Sequence, residues 1–299
     1  MRVRDLMLGA LVTVIWGSNF SVIEAGLRDL DPFLLTALRF LMTALPLAFF
    51  IRRPVDVPLS AVAIYGVLFG VGLWFVVNLA MSQGMSPGLS SLVLQFSAFF
   101  TLLLSAAVLG ERIRAPQVAG MVLAGGGLLL VVGYTKGAAA TRGVLLVLLA
   151  AVSWSVCNLI VKRHKPADML AFIVWSSAFS APALLLLTWL VRGSAPFVVL
   201  SHGITFPAVG SILFQAYVTT IFGYFIWNTL MKTYPAATVA PLSLLVPVSG
   251  IATSWLVFDE HFASGVWLGI AVMLAGVVVF VLSPRWTRAP VIANPVGER

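Results

Sequence analysis

The amino-acid sequence predicts an all-α integral membrane protein with ten transmembrane helices arranged as two inverted five-helix repeats. Three observations carry this prediction. The chain is 61% hydrophobic and only 9% charged, with a mean hydropathy of +1.06, whereas a soluble domain has about a quarter of its residues charged. Its 299 residues hold ten apolar runs, each close to the roughly 20 residues that cross a bilayer as a helix. One half of the chain is also legible in the other. Ser90–Gly133 aligns without a gap on Val239–Leu282 at an offset of 149, which places Glu111 on Glu260 and Gly120 on Gly269.

The runs fall at about 6–27, 33–51, 59–83, 88–109, 116–134, 142–162, 168–191, 206–231, 237–257 and 264–283. MRVRD precedes the first. That run is too long for a signal core and has no A-x-A site, so it is kept as helix 1. The connections are short, leaving no room for a separate soluble domain. The repeats are expected at 1–135 and 136–284, with a disordered polar tail at 285–299. Thirteen Lys and Arg residues fall on the side of the N-terminus and four on the other. By the positive-inside tendency both termini are then cytoplasmic. This also accounts for the net charge of +8, whose place in interhelical loops speaks against nucleic-acid binding. Five helices per half invert the second copy relative to the first. Inverted repeats of this kind belong to alternating-access transporters, which hold the solute near mid-membrane at the repeat interface.

In order along the chain, helix 1 carries Trp16 and Asn19 three apart on one face, with Glu24 near its outer end. Helix 2 carries Arg39. An intramembrane ion needs a partner, and the expectation is a structural Glu24–Arg39 pair, or Arg39 reaching Asp29 or Asp31. Helix 3 carries Trp74 and Asn78. Helix 4, opened by Pro87, has a polar stripe of Ser91 and Gln95 with Phe99 one turn on. Helix 5 carries the small residues Gly120 and Ala124, suited to close packing. Helix 6 repeats the aromatic–amide pairing as Trp154 and Asn158 beside the single cysteine, Cys157, which leaves no intrachain disulfide and no cysteine metal site.

Helix 8 carries Gln215, Thr219 and Thr220, then Tyr224, Trp227 and Asn228; Tyr224 and Asn228 stand 150 residues after Trp74 and Asn78. An amide beside an aromatic ring offers a donor, an acceptor and a π-face, which suits a small polar or zwitterionic solute. A lone asparagine is as readily a hydrogen bond between helices, but two pairings repeated in both halves point to a lined cavity. Helix 9 holds Pro241, Ser243, Pro247 and Ser249. Its prolines free carbonyls that hydrocarbon tolerates only where protein or a watery cavity covers them. Helix 10 has the small row Gly265 and Gly269. Glu111, Glu260 and Lys162 end helices at the water interface and read as boundary residues.

GMSPG at 84–88 has the letters of a hydrolase nucleophile elbow. It lacks the strand–turn–helix setting that the motif needs, and His164, His202 and His261 lie in loops on both sides. No zinc-protease, phosphate-loop or dinucleotide signature is present, so neither a catalytic group, a metal nor a cofactor is expected.

VIWGSNFSVIEAGL, PFLLTALRF, GLSSLVLQFSAFFTLLLSAAVLGER and VAPLSLLVPVSGIATSWLVFDE resemble the EamA-type transporters of the drug/metabolite transporter superfamily. The resemblance covers nearly the whole chain. It is strongest to bacterial exporters of cysteine and O-acetylserine, through WGSNF, LVLQ, IVWSSA, GYFIWNTLM and APLSLLVPV; aromatic amino-acid exporters are also similar. It implies a bacterial inner-membrane protein with a central cavity for amino acids or related metabolites, surrounded by lipid, as a monomer or homodimer. The alternatives are a broad drug/metabolite or aromatic amino-acid exporter and, more distantly, a membrane-embedded enzyme or a channel.

Overall fold

The computed structural model describes residues 1–135, 138–234 and 239–286. Its principal helices are α1 (Val3–Leu27), α2 (Pro32–Ala48), α3 (Leu59–Ser82), α4 (Pro87–Leu109), α5 (Ala115–Tyr134), α6 (Ala138–His164), α7 (Met169–Arg192) and α8 (Phe206–Thr233). Two more follow: α9, which opens as a 3₁₀ turn (Ala240–Leu244) and continues as α-helix (Leu245–Phe258), and α10 (Ser264–Trp286). Among the described residues, eight helices are long and apolar enough to cross a membrane; α2 and α9 are apolar but shorter. Helix 2 ends at Ala48, three residues before the predicted limit, with Pro46 in its last turn.

The starts of the helices are set by local chemistry. Asp31, Ser86, Asp168 and Thr205 each accept a backbone N–H of the first turn with the side chain, as good N-caps do. Pro32, Pro87 and Pro207 sit where a missing N–H costs nothing.

Loop contacts fix which ends lie together. At one end of the bundle the Tyr234 hydroxyl donates to Asp5 Oδ2 at 2.6 Å and Lys232 Nζ to the Ala167 carbonyl at 2.6 Å. The Ala167 amide donates to Asp56 Oδ2, and Lys162 pairs with Glu111, each at 2.6 Å. At the other end Arg192 pairs with Asp31 at 3.5 Å, the Thr205 hydroxyl donates to Asp29, and Arg28 lies 4.7 Å over the Phe258 ring. The first set joins the start of α1 to the loops after α2 and α6 and to the end of α8. Successive helices therefore run up and down.

α5 and α10 form the most extensive helix pair and stand to one side of the rest. Their backbones meet through glycine: a Cβ at Gly276 would stand 2.7 Å from the Gly120 carbonyl oxygen and 2.8 Å from Ala124 Cα. The small rows of helices 5 and 10 are thus packing within one chain. In the main bundle α1 packs on α9, α2 on α7, α4 on α6 and α9, and α3 on α6 and α7.

Four helices of this bundle are irregular, three at mid-length and α9 at its start. α3 widens to a π-helix over Leu68–Phe75 and α8 over Phe214–Phe222. In α8 the hydroxyls of Thr219 and Thr220 both donate to the Gln215 carbonyl, at 2.7 and 2.8 Å, competing with the backbone for that acceptor. α4 breaks at Leu94–Gln95, where Gln95, Ser97 and Ala98 donate three residues back instead of four. The 3₁₀ opening of α9 falls at the corresponding place, as the prolines of that segment led one to expect.

The α5–α10 contact has a direct check. Gly276→Val should lower the thermal midpoint of the purified protein, because overpacking against backbone costs about 1–3 kcal/mol. Gly125→Val, where a side chain would meet nothing within 4 Å, should leave it unchanged. Equal midpoints would contradict this packing.

Candidate functional site

A cavity of about 510 Å³ lies where the irregular stretches converge. α1 contributes Trp16, Asn19 and Phe20; α2 contributes Arg39; α3 contributes Tyr65, Leu73 and Trp74. From α4 come Ser91, Leu94, Gln95, Ser97 and Ala98, and from α6 come Trp154, Asn158 and Val161. Met169 of α7, Thr219, Tyr224, Trp227, Asn228 and Met231 of α8, and Ser243 and Val246 of α9 complete it.

The cavity extends towards the end of the bundle that holds the start of α1. Val161, Met169, Met231 and Ser243 lie within a few residues of their helix ends on that side. Towards the other end α1, α4 and α9 close together. A Cβ at Gly17 would stand 2.8 Å from the Gly250 nitrogen, one at Gly250 would stand 2.6 Å from Ser91 Cβ, and Ser21 Oγ donates to Thr253 Oγ1 at 3.1 Å.

The wall is aromatic. Trp16 has Tyr224 and Trp227 each at 5.3 Å between centroids, and Tyr224 touches Trp154 at 6.4 Å. Trp16 is held in place by its Nε1, which donates to the Thr219 carbonyl in the π-helical stretch at 3.0 Å. Gln95 Nε2 donates to the Ser243 carbonyl at 3.2 Å and joins the two helix breaks across the cavity. Asn158 Nδ2 donates to Thr101 Oγ1 at 3.2 Å.

Other polar groups here have no partner. Both amide atoms of Asn19, Tyr65 OH, Trp74 Nε1, Asn228 Nδ2 and Arg39 Nε are buried without a hydrogen bond. Six of the ten such atoms among the described residues belong to residues lining this one cavity. Leaving a buried donor or acceptor unsatisfied costs about 1–3 kcal/mol, and that cost is concentrated around this cavity.

Of the predicted site residues, Trp16, Asn19, Trp74, Gln95, Trp154, Asn158, Tyr224, Trp227, Asn228 and Ser243 all line the cavity. Two do not. Asn78 is fully buried and donates to Thr36 Oγ1 at 2.8 Å, so it ties α3 to α2. Phe99 packs edge-on against Phe96 and, at 4.8 Å, against Phe280 of α10, because the break at Gln95 turns it towards the α5–α10 pair.

The expected Glu24–Arg39 pair is not formed either: no ion pair within 4 Å among the described residues involves Arg39 or Glu24. Asp31 is engaged by Arg192, and Asp29 by Thr205. Arg39 turns inward instead. It is 1% exposed, lies 4.1 Å over the Trp74 ring, and donates to Thr220 Oγ1 at 3.2 Å and Gln215 Oε1 at 3.4 Å. Arg39 and Tyr65 are among the cavity residues that sequence reasoning did not place there. For Arg39 a signal was present: no acid stands three or four residues away on its own helix.

Fold and site together define a multi-pass helical membrane protein built around a polar, aromatic-walled cavity. The model of the EamA-like transporter family matches residues 4–133 and 141–282, and the chain belongs to this family. It is 37% identical over 296 residues to a probable amino-acid metabolite efflux pump of Escherichia coli (strain K12), covering 97% of this chain and 98% of that one. A protein of the same description from Salmonella typhimurium is also 37% identical, with 96% and 98% covered. An uncharacterized transporter of Bacillus subtilis is 27% identical over 91% of this chain and 95% of its own. A protein crystal structure superposes with a TM-score of 0.62 at 20% identity, covering 96% of this chain and all of that one, a likeness of fold.

The different settings of two asparagines can be separated by substitution. Asn78→Ala should lower thermal stability by about 0.6–1.7 kcal/mol, the range for interhelical hydrogen bonds in membranes, and leave ligand affinity alone. Asn19→Ala should leave stability unchanged or raise it, since it removes two unpaired polar atoms. A stability loss at Asn19 equal to that at Asn78 would show that Asn19 is a helix contact.

Proposed function

We propose that this protein is a secondary exporter of amino acids or related small metabolites, with solutes of the cysteine and O-acetylserine kind foremost. The observation that carries the proposal is the cavity, where unpartnered amide, hydroxyl and indole groups stand beside aromatic faces at mid-bundle. Similarity to the two probable amino-acid metabolite efflux pumps supports the same solute class. The solute-binding residues on this reading are Trp16, Asn19, Trp74, Gln95, Trp154, Asn158, Tyr224, Trp227, Asn228 and Ser243.

Transport proceeds by alternating access between two inverted repeats, 1–135 and 136–284. The pattern of helix contacts supports this, because it survives exchanging each helix with the one five later. α1–α9 becomes α6–α4, α3–α6 becomes α8–α1, and α2–α7, α4–α9 and α5–α10 map onto themselves. The distribution of Lys and Arg puts both termini in the cytoplasm of a bacterial inner membrane. The structure then corresponds to the cytoplasm-facing state, with α1, α4 and α9 closed on the outer side. Separating α1 from α4 and α9 there, and bringing α6 onto α4 and α9 on the inner side, would expose the solute outward. Broken helices at the solute site are a recurrent feature of such transporters.

Reporter fusions at the C-terminus test the topology; activity on the periplasmic side would contradict it. Asn19→Ala, Gln95→Ala and Trp154→Ala should each slow efflux about tenfold, the worth of one polar contact of ~1.4 kcal/mol, with folded yield nearly intact. Leu129→Ala, at a 74% exposed position on α5, is the control. The measurement is the initial efflux rate of labelled amino acids per folded molecule. Rates for the three variants equal to that of the control would move the solute site elsewhere.

A further inference from the structure

We propose that Arg39 is the anchor for a carboxylate, so that the solute is recognised through its free carboxylate group while its amino group is secondary. This rests on the exporter reading above and names the chemical group that the same cavity takes.

Arg39 is the only cavity-lining residue, of those described, with a fixed charge, and no Asp or Glu lines the cavity. A guanidinium has five N–H donors. Two are spent on neutral acceptors, the hydroxyl of Thr220 and the amide oxygen of Gln215, and Nε–H has none. Gln215 is itself fixed, with Nε2 donating to Ser211 Oγ at 3.0 Å. The Trp74 ring under the guanidinium stabilises a cation without neutralising it. The group is therefore oriented, dehydrated and positive. Such a charge at membrane depth needs a counter-ion, and the ligand is the candidate. The planar fork of arginine matches a carboxylate in a two-point contact.

The second half of the chain shows that the fold does not require this charge. α2 and α7 both start at an aspartate N-cap, Asp31 and Asp168. The residue eight places on is Arg39 in one and the buried Ser176 in the other. The two helices pack face to face, so a serine suffices at that depth of the bundle. The solute's amino group has no acidic counterpart in the cavity. It meets ring faces such as Trp16, Tyr224 and Trp227 and the amide oxygen of Asn19, weaker partners than a guanidinium is for a carboxylate.

The test uses the quenching of tryptophan fluorescence in the purified full-length protein, since four tryptophans line the cavity. The probes are O-acetyl-L-serine, L-cysteine and L-phenylalanine, each with its carboxamide and its des-amino acid. At least one acid should bind about tenfold more tightly than its carboxamide, with the des-amino acid close to the parent. Arg39→Gln should abolish that preference and Arg39→Lys should restore part of it. Comparison of the probes on the unaltered protein decides the matter even where a variant fails to fold.

Equal binding of acid and carboxamide, displacement by equimolar chloride, or no binding of any acid up to about 10 mM, weaker than ordinary solute affinities, would overturn the anchor. Counterflow of the same acids in proteoliposomes reads the exporter proposal separately. Carboxylate-selective binding without counterflow would leave the anchor standing and remove the exporter. Counterflow without carboxylate preference would do the reverse.

Discussion

The structure depends on one constraint: inside hydrocarbon, every backbone and side-chain polar group must find its partner within the protein. Regular helices satisfy it wherever α5 and α10 face lipid. In the main bundle the constraint is relaxed at four places, the π-helical stretches of α3 and α8 and the breaks in α4 and α9. All four border the same cavity. The Thr219 carbonyl takes the Trp16 indole and the Ser243 carbonyl takes the Gln95 amide. The irregular backbone is thus tied off by the side chains that shape the cavity, and most of the polar atoms left without a partner, among the described residues, belong to residues that line it.

Position along each helix was legible in the sequence, because 1.5 Å of rise per residue converts residue number into height along the axis. The ends of the runs, the aromatic–amide pairs and the weak point around Pro241 and Pro247 all follow from it. The direction in which a side chain points was not. Asn78 and Asn158 each follow an aromatic by four residues, yet Asn78 turns to Thr36 while Asn158 borders the cavity. The π-helical turns rotate whatever follows them by an amount no side-chain pattern records. Phe99 was misplaced by the corresponding effect of the break at Gln95. Arg39 shows a different limit: matching charges by proximity along the chain paired it with Glu24, whereas its partners, Gln215 and Thr220, lie on α8 and are neutral.

The two halves are alike in backbone and unlike in chemistry. Each supplies a broken helix and a π-widened helix, which suits a mechanism in which equivalent elements exchange roles. The charge is supplied once, by Arg39, with Ser176 at the matching place. On the proposed reading, a scaffold of two like halves carries an asymmetric ligand, with one end held by the Arg39 guanidinium and the body lying against Trp16, Trp154 and Tyr224.

The central claim is that the solute occupies this cavity. Ala98 lines it with a small apolar side chain, and the only native cysteine, Cys157, is fully buried. Ala98→Cys in a Cys157→Ser background therefore gives a reporter inside the cavity, and the decisive measurement is its rate of alkylation by a small maleimide. A saturating concentration of a solute that the protein transports should slow that rate severalfold, and a non-transported solute should not. An unchanged rate in the presence of a solute that is demonstrably carried would contradict the account.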